Sequence, residues 1–242
     1  MITIDVIVLT KNNVDELKQT LLSIPLLQHR LFVKILIFDG SSAKIPLSFF
    51  ADCLGDLSRH VNYHWIPEVR GIYPSMNFAL DQVKSDWFIF LNSGDSFHPD
   101  FRLASLQSYF LSDVSVVFGQ AEIISSTTRL SWFVPDTKVR SIKTWLRYFE
   151  PNHQAIFARN ILSKTHLFLT DSPIGADAAW KRLILDKYDY AYIRQPFVVF
   201  NLGGASSTYS WKILKIKLHE PSRSLFAKLM EIIKYLLFKL GI

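Results

Sequence analysis

Residues 86–97, Asp-Trp-Phe-Ile-Phe-Leu-Asn-Ser-Gly-Asp-Ser-Phe, constrain this chain more than any other stretch. Trp87 to Leu91 is a continuous apolar run of strand length. That is the pattern of a strand buried on both faces, as in a mostly parallel sheet between helices. The run stops at four polar or small residues, Asn92, Ser93, Gly94 and Asp95. Open α/β sheets bind ligands beyond the carboxyl ends of their strands. A carboxylate on a glycine-loosened turn at such a place can hold a hard cation through oxygen. The same four residue types also form ordinary turns, so taken alone the segment leaves both readings open.

The chain before it repeats the arrangement. Thr3 to Leu9 reads as a buried strand, and Asn13, three residues before Glu16, caps a helix that carries Leu17, Leu21 and Leu22 on one side. Val33 to Phe38 is a second strand and ends at Asp39-Gly40-Ser41-Ser42, another acidic turn. Val61 to Ile66 is a third, and Gly71 to Val83 carries a helical stripe of Met76, Ala79, Leu80 and Val83. Strand, helix, strand, strand, helix, strand is how a nucleotide-binding α/β sheet begins. After Asp95 the pattern loosens. It predicts a helix from Pro99 to Phe110, strands over 114–118 and 129–134, and a short helix over 142–149. A strand over 154–158, a helix over 176–185, a strand over 197–200 and a polar loop over 201–207 complete it.

With 242 residues, 49% of them apolar, the chain can form one large α/β domain or a domain with an appendage. Its one cysteine, Cys53, excludes an internal disulfide and fits a reducing compartment. No basic segment precedes the first apolar run, so no signal peptide is expected. No uncharged apolar run reaches the length of a membrane span. The net charge of +6 is uneven: from Trp211 onward there are seven Lys or Arg against two Glu, whereas residues 1–210 are nearly balanced. A nucleic-acid-binding body would spread that charge over a face, so none is expected. Leu225, Leu229, Ile232, Ile233, Leu236, Leu237 and Leu240 fall on one face of a helix, with Lys228, Lys234 and Lys239 between them. Such a helix can lie in an anionic membrane surface or pack on protein. His60, His64 and Cys53 have no metal-ligand spacing, and no Gly-rich phosphate loop is present.

Four segments, in order, carry a resemblance to a known family: Leu9-Thr10-Lys11-Asn12-Asn13, Arg70-Gly71-Ile72-Tyr73-Pro74-Ser75-Met76-Asn77, Phe90-Leu91-Asn92-Ser93-Gly94-Asp95, and Asn152-His153-Gln154-Ala155-Ile156-Phe157. The chain resembles family-2 glycosyltransferases of the GT-A fold, and more narrowly bacterial enzymes that build exopolysaccharide and O-antigen repeat units. The resemblance covers about residues 1–207. It implies an α/β fold: a Rossmann-like, mostly parallel central sheet with helices on both faces, and a mixed acceptor-side half. Residues 1–210 would then be the catalytic domain, with 1–97 the nucleotide-binding half and 98–210 the acceptor half. Residues 211–242 would be a basic amphipathic tail.

The resemblance also implies roles. Thr10, Asn12, Asp39, Arg70, Asn77, Asn92 and Asp95 would hold a nucleotide-sugar donor, expected to be a UDP-sugar. Asp39 would face the nucleoside and Arg70 the diphosphate, which suits its donor fork. Asp95 matches the last acid of an Asp-X-Asp motif that holds Mn²⁺ or Mg²⁺. Asn92 stands where many members carry the first acid and brings no charge, so the cation would depend more on the substrate diphosphate. His153 and Gln154 match the acceptor side. Asp177 matches the general base, with Asp171 and Glu150 as competing acids. The expected activity is inverting transfer from a nucleotide-sugar to a saccharide or lipid-linked acceptor, in the cytoplasm at the inner face of the membrane, with room for an oligomer. Two alternatives stay open: a sugar nucleotidyltransferase, and a non-catalytic saccharide-binding or assembly subunit.

Overall fold

A computed structural model describes residues 1–28, 30–125, 130–135, 151–171, 175–202, 211–219 and 224–240. The expected helix over 142–149, the competing acid Glu150 and most of the loop over 201–207 lie outside these residues.

Four parallel strands form the heart of the sheet: β1 (Ile2–Thr10), β3 (Leu31–Asp39), β4 (Val61–Trp65) and β5 (Trp87–Phe90). β1 pairs with β3 from Ile2↔Leu31 to Thr10↔Asp39, and with β5 from Ile4↔Trp87 to Ile7↔Phe90. The pairing runs past β5, because Leu91 N–H donates to Ile7 O and Ser93 N–H to Leu9 O. Thr10, Asp39 and Asn92 therefore emerge together at the carboxyl edge. The rest of the sheet comprises β2 (Leu27–Gln28), β6 (Ser96–Phe97), β7 (Val116–Ser125), β8 (Ser131–Val134), β9 (Ile156–Arg159) and β10 (Tyr190–Leu202). The order is β2-β3-β1-β5-β9-β7-β10-β6, with β4 beside β3 and β8 beside β7. β9 runs antiparallel to both β5 and β7, so the mixed half begins directly beside the central strand.

Every residue of β5 is buried, as its unbroken apolar run requires. Phe88 and Phe90 enter a core with Tyr73, Met76, Ala79 and Leu80 of helix α3 (Ile72–Gln82) and Trp180 and Ile184 of a later helix, Ala176–Lys187. Trp87 faces the other way, with its ring 4.8 Å from Phe110. On that side Phe157 packs on Phe110 and Phe197. Helix α1 (Val14–Ser23) starts as its sequence suggests, with Asn13 Oδ1 accepting the Glu16 N–H.

Three helices differ from the sequence expectation. Helix α2 (Leu47–Leu54) follows Pro46 and buries Phe50; its apolar residues were not read as an element. Instead of one helix from Pro99 there is a 3₁₀ turn, Leu103–Leu106, then the short helix α4 (Gln107–Leu111). A short helix α5 (Asn160–Thr165) follows β9, and the helix at Ala176–Lys187 is α6.

The chain divides into two compact units, residues 1–123 with 132–200 and residues 124–131 with 201–242. The site described below lies wholly in the first. In the second, α7 (Trp211–His219) and α8 (Leu225–Leu240) bring the Trp211 and Tyr235 rings to 5.9 Å. Leu214 and Glu231 are buried there, while Leu225, Leu229, Ile232, Ile233 and Leu236 are exposed. No described helix is long and apolar enough to cross a membrane.

Candidate active site

The site is built where β1, β3 and β5 end. At the end of β3, Asp39 is fully buried. Its Oδ1 accepts the Ser41 N–H at 2.8 Å, an Asx turn, and its Oδ2 accepts the Tyr63 hydroxyl at 2.7 Å. Burial first, and this carboxylate second, hold the Tyr63 phenol above its ordinary pKa, so it stays a donor. Trp65, paired with Asp39 across the β3–β4 ladder, donates its indole N–H to Ser41 O, and the residue is 41% exposed. Asn12, at φ 55°, accepts Ser42 N–H and donates its own N–H to Ser41 Oγ, tying the first two loops together.

The loop after β5 is held from below. Asp95 N–H donates to Asn92 O, and Thr20 of α1 bonds the Asp95 carbonyl at 2.7 Å and the Gly94 N–H at 3.1 Å. Gly94 has φ 95°, a conformation costly for residues with a Cβ, and a Cβ there would stand 3.1 Å from Glu16 Oε2. The Asp95 carboxylate is buried and accepts Gln154 Nε2 at 2.6 Å. Three oxygens at these strand ends, Thr10 Oγ1, Asn92 Oδ1 and Ser93 Oγ, are buried with no hydrogen-bond partner. Most buried polar atoms in proteins are paired, so orphaned oxygens beside a carboxylate fit a group that arrives from outside. Oxygen donors suit Mn²⁺ or Mg²⁺. Among the described residues no cluster of three or more His, Cys, Asp or Glu could hold a metal. Asp95 is the one acid of this loop.

The second acid comes from α6. Gly175, at φ 87°, precedes this helix, and Asp177 lies in its first turn. Tyr73 of α3 donates its hydroxyl to Asp177 Oδ1 at 2.9 Å, and His153 Nδ1 stands 3.6 Å from Oδ2. Burial pushes the Asp177 carboxyl up, but His153, Lys181 and the Tyr73 hydroxyl outweigh it and the net pKa is lowered. Burial pushes His153 down to about 4, with Asp177 opposing and Lys181 adding to the shift. His153 is therefore neutral near pH 7, when Lys181 and Tyr73 remain to hold Asp177 ionised. The His153 Nε2 atom is buried without a partner. Asp171, the competing acid, is exposed.

Both ends of the Asn77 amide, expected at the nucleotide, bond the Phe168 main chain at 2.9 and 2.8 Å, so in this structure Asn77 anchors that loop. Gln154, expected on the acceptor side, is fully buried and bonds the Asn92–Asp95 loop. Arg70 is exposed, just before Gly71 at the start of α3. Sequence reasoning gave no role to Tyr73, Tyr63 or Trp65. Tyr73 alone carried a signal, since it lies three residues before Met76 on the buried stripe, where a hydroxyl needs a partner.

This architecture is that of GT-A glycosyltransferases. The chain aligns with the crystal structure of S. aureus TarS 1-349 in complex with UDP-GlcNAc at a TM-score of 0.61 and 12% identity, covering 97% of this chain and 72% of that one. It aligns with the mannosyltransferase PcManGT from Pyrobaculum calidifontis in complex with GDP-Man and Mn²⁺ at a TM-score of 0.60 and 16% identity, covering 96% and 64%. No curated protein sequence matches the chain. The sequence model of glycosyl transferase family 2 matches residues 5–168, and the chain belongs to that family. It is a glycosyltransferase.

Proposed function

We propose that the protein is a metal-dependent, inverting glycosyltransferase that takes a nucleotide-sugar donor. The observation that carries this reading is the pair of buried acids, Asp95 beside the orphaned oxygens of the strand ends and Asp177 between Tyr73 and His153. Asp39 is fully buried with both carboxylate oxygens occupied, so it serves the nucleoside side by holding Tyr63 and the Ser41 turn, and the exposed Trp65 side chain offers the base a stacking face. Thr10, Asn12 and Arg70 complete the donor side. Asp95 would hold Mn²⁺ or Mg²⁺, with Asn92 Oδ1 and Ser93 Oγ as neighbouring oxygens of the same loop, and such a cation would stabilise the charge that gathers on the leaving diphosphate.

Asp177 takes the acceptor hydroxyl's proton as that oxygen attacks the anomeric carbon. The bond from that carbon to the diphosphate oxygen breaks, and its electron pair leaves with the nucleoside diphosphate. Tyr73 fixes one carboxylate oxygen so that the other stays directed, and neutral His153 lines the acceptor side. The PcManGT structure with GDP-Man and Mn²⁺ and the TarS structure with UDP-GlcNAc support a nucleotide-sugar and a divalent cation.

The acceptor we propose is a saccharide, free or lipid-linked, in bacterial surface polysaccharide assembly. The exposed Leu and Ile face of α8 and the basic tail support a peripheral site on an anionic membrane. Release of nucleoside diphosphate from a panel of donors, with and without saccharide acceptors, tests the activity. No release from any donor, with saccharide binding retained, would favour the assembly-subunit reading. Sedimentation with anionic liposomes of the full chain and of a chain ending at residue 221 tests the membrane role. Equal sedimentation would exclude α8 as the anchor.

A further inference from the structure

We infer that Gln154 is the positioning residue of the Asp95 carboxylate, and that the turn His153–Ala155 thereby ties the cation-holding loop to the base. The inference rests on the reading of Asp95 as the cation ligand. Gln154 is 0% exposed. A buried amide must satisfy a donor end and an acceptor end. Here Nε2 donates to Asp95 Oδ2 at 2.6 Å while Oε1 accepts the Asn92 N–H at 2.9 Å. Only one orientation of the amide works: a carboxylate needs a donor, and an N–H needs an acceptor. The side chain thus clamps both ends of the Asn92–Asp95 turn.

The clamp is itself fixed. Gln154 N–H donates to Asn152 Oδ1 at 2.9 Å, and Ala155 N–H to Asn152 O. The next residue, Ile156, enters β9, which is paired to β5 and β7. An amide orients a carboxylate without cancelling its charge, as an Arg or Lys in its place would. That matters here because Asn92 supplies no charge and the loop depends on Asp95. The preceding residue, His153, stands against Asp177. Adjacent side chains of one turn therefore touch both acids, so a shift of this turn moves the two together.

The test is Mn²⁺ affinity, read from free Mn²⁺ by electron paramagnetic resonance with UDP and with GDP, and the melting temperature of metal-free protein. Gln154→Leu is expected to weaken Mn²⁺ binding about 10- to 100-fold, the usual effect of losing a partner of a metal ligand. In the Asp95→Asn background the same change should matter less than about twofold, because the partner is already gone. Unchanged Mn²⁺ binding by Asp95→Asn would sink the cation reading itself. Weakened binding by Asp95→Asn together with unchanged binding by Gln154→Leu would sink the positioning inference alone.

Should Gln154→Leu fail to fold, a polarity swap decides. Gln154→Glu keeps the bond to Asn92 N–H but sets two carboxylates face to face, and should lower the melting temperature. Adding Asp95→Asn reverses donor and acceptor and should restore it, without restoring Mn²⁺ affinity. Additive losses in that double variant would overturn the inference.

Discussion

Strands β1 and β5 end in opposite ways. At their amino end Thr3, Asp5, Ser85 and Asp86 bond one another and the main chain. Thr3 N–H and Oγ1 both bond Asp86 Oδ2, at 2.8 and 2.9 Å, and Asp86 N–H returns to Thr3 Oγ1. The buried Asp5 carboxylate accepts the N–H groups of Lys84 and Ser85 at 3.0 Å and the Ser85 hydroxyl at 2.6 Å. At the carboxyl end the same residue types are left open, and Thr10, Asn92 and Ser93 bury oxygens that meet nothing. A buried polar group without a partner costs stability. One sheet thus satisfies its oxygens at one edge and leaves three of them unpaired at the other, and under the proposed function that second edge is the one that meets the donor.

Substitutions at the two edges should therefore separate rate from stability. The largest rate effect is expected at Asp177. Asp177→Asn should lose on the order of 10²- to 10⁴-fold in transfer, the usual worth of a general base. Donor affinity by calorimetry should hardly change, since this residue does not face the nucleotide in the proposed arrangement. Near-normal transfer in Asp177→Asn, with a collapse in Asp171→Asn or Glu150→Gln, would move the base. Asp95→Asn is expected to cost about 10²- to 10³-fold in transfer at limiting Mn²⁺, with the fold intact. At the closed edge the outcome reverses. Asp5→Ala strands three donors and should cost about 3 kcal/mol in denaturant unfolding, while the folded fraction keeps its turnover. Equal stability losses for Asp95→Asn and Asp5→Ala would erase the distinction between the edges.

The open edge was legible in the sequence because it is local. An apolar run followed at once by Asn-Ser-Gly-Asp, or by Asp-Gly-Ser-Ser, states both the strand and the turn within a dozen residues. The parallel core and the Asn13 cap were legible for the same reason. What the sequence hid is contact across distance. Tyr73 reaches Asp177 over 104 positions, Gln154 reaches Asn92 over 62, and Asn77 reaches Phe168 over 91. Nothing in the spacing of those residues marks them as partners. Asn77 looked like a polar residue facing a ligand, because a loop 91 residues later supplies the two groups that satisfy it. The half after Asp95 suffers most, since β9 enters between β5 and β7 and takes both neighbours from elsewhere in the chain.

His153 offers the finest test of the open edge, and its effect is the smallest. Its imidazole is largely buried, with 14% of the side chain exposed, and burial lowers its pKa from 6.5 to about 4. The groups that face it are Asp177, which opposes the shift, and Lys181, which adds to it. Between about pH 6.5 and about pH 4 the unfolded chain protonates this residue and the folded chain does not. The unfolded state then binds more protons, so stability falls as the pH is lowered through that window and is unaffected above it. Replacing the imidazole with a group that does not titrate removes the penalty. His153→Gln should therefore lose less stability than the native chain between pH 7 and pH 5, measured as the difference in melting temperature. Asp177 runs the same way, since its lowered pKa gives stability that is lost only on further acidification. Between pH 7 and pH 5 Asp177, whose pKa is lowered from the ordinary carboxyl value, stays ionised, and in His153→Gln Lys181 and the Tyr73 hydroxyl remain to hold it so. It therefore adds little to the comparison in that window. An equal loss in the two proteins would mean that His153 titrates as it does in the unfolded chain, and that its surroundings are open to water.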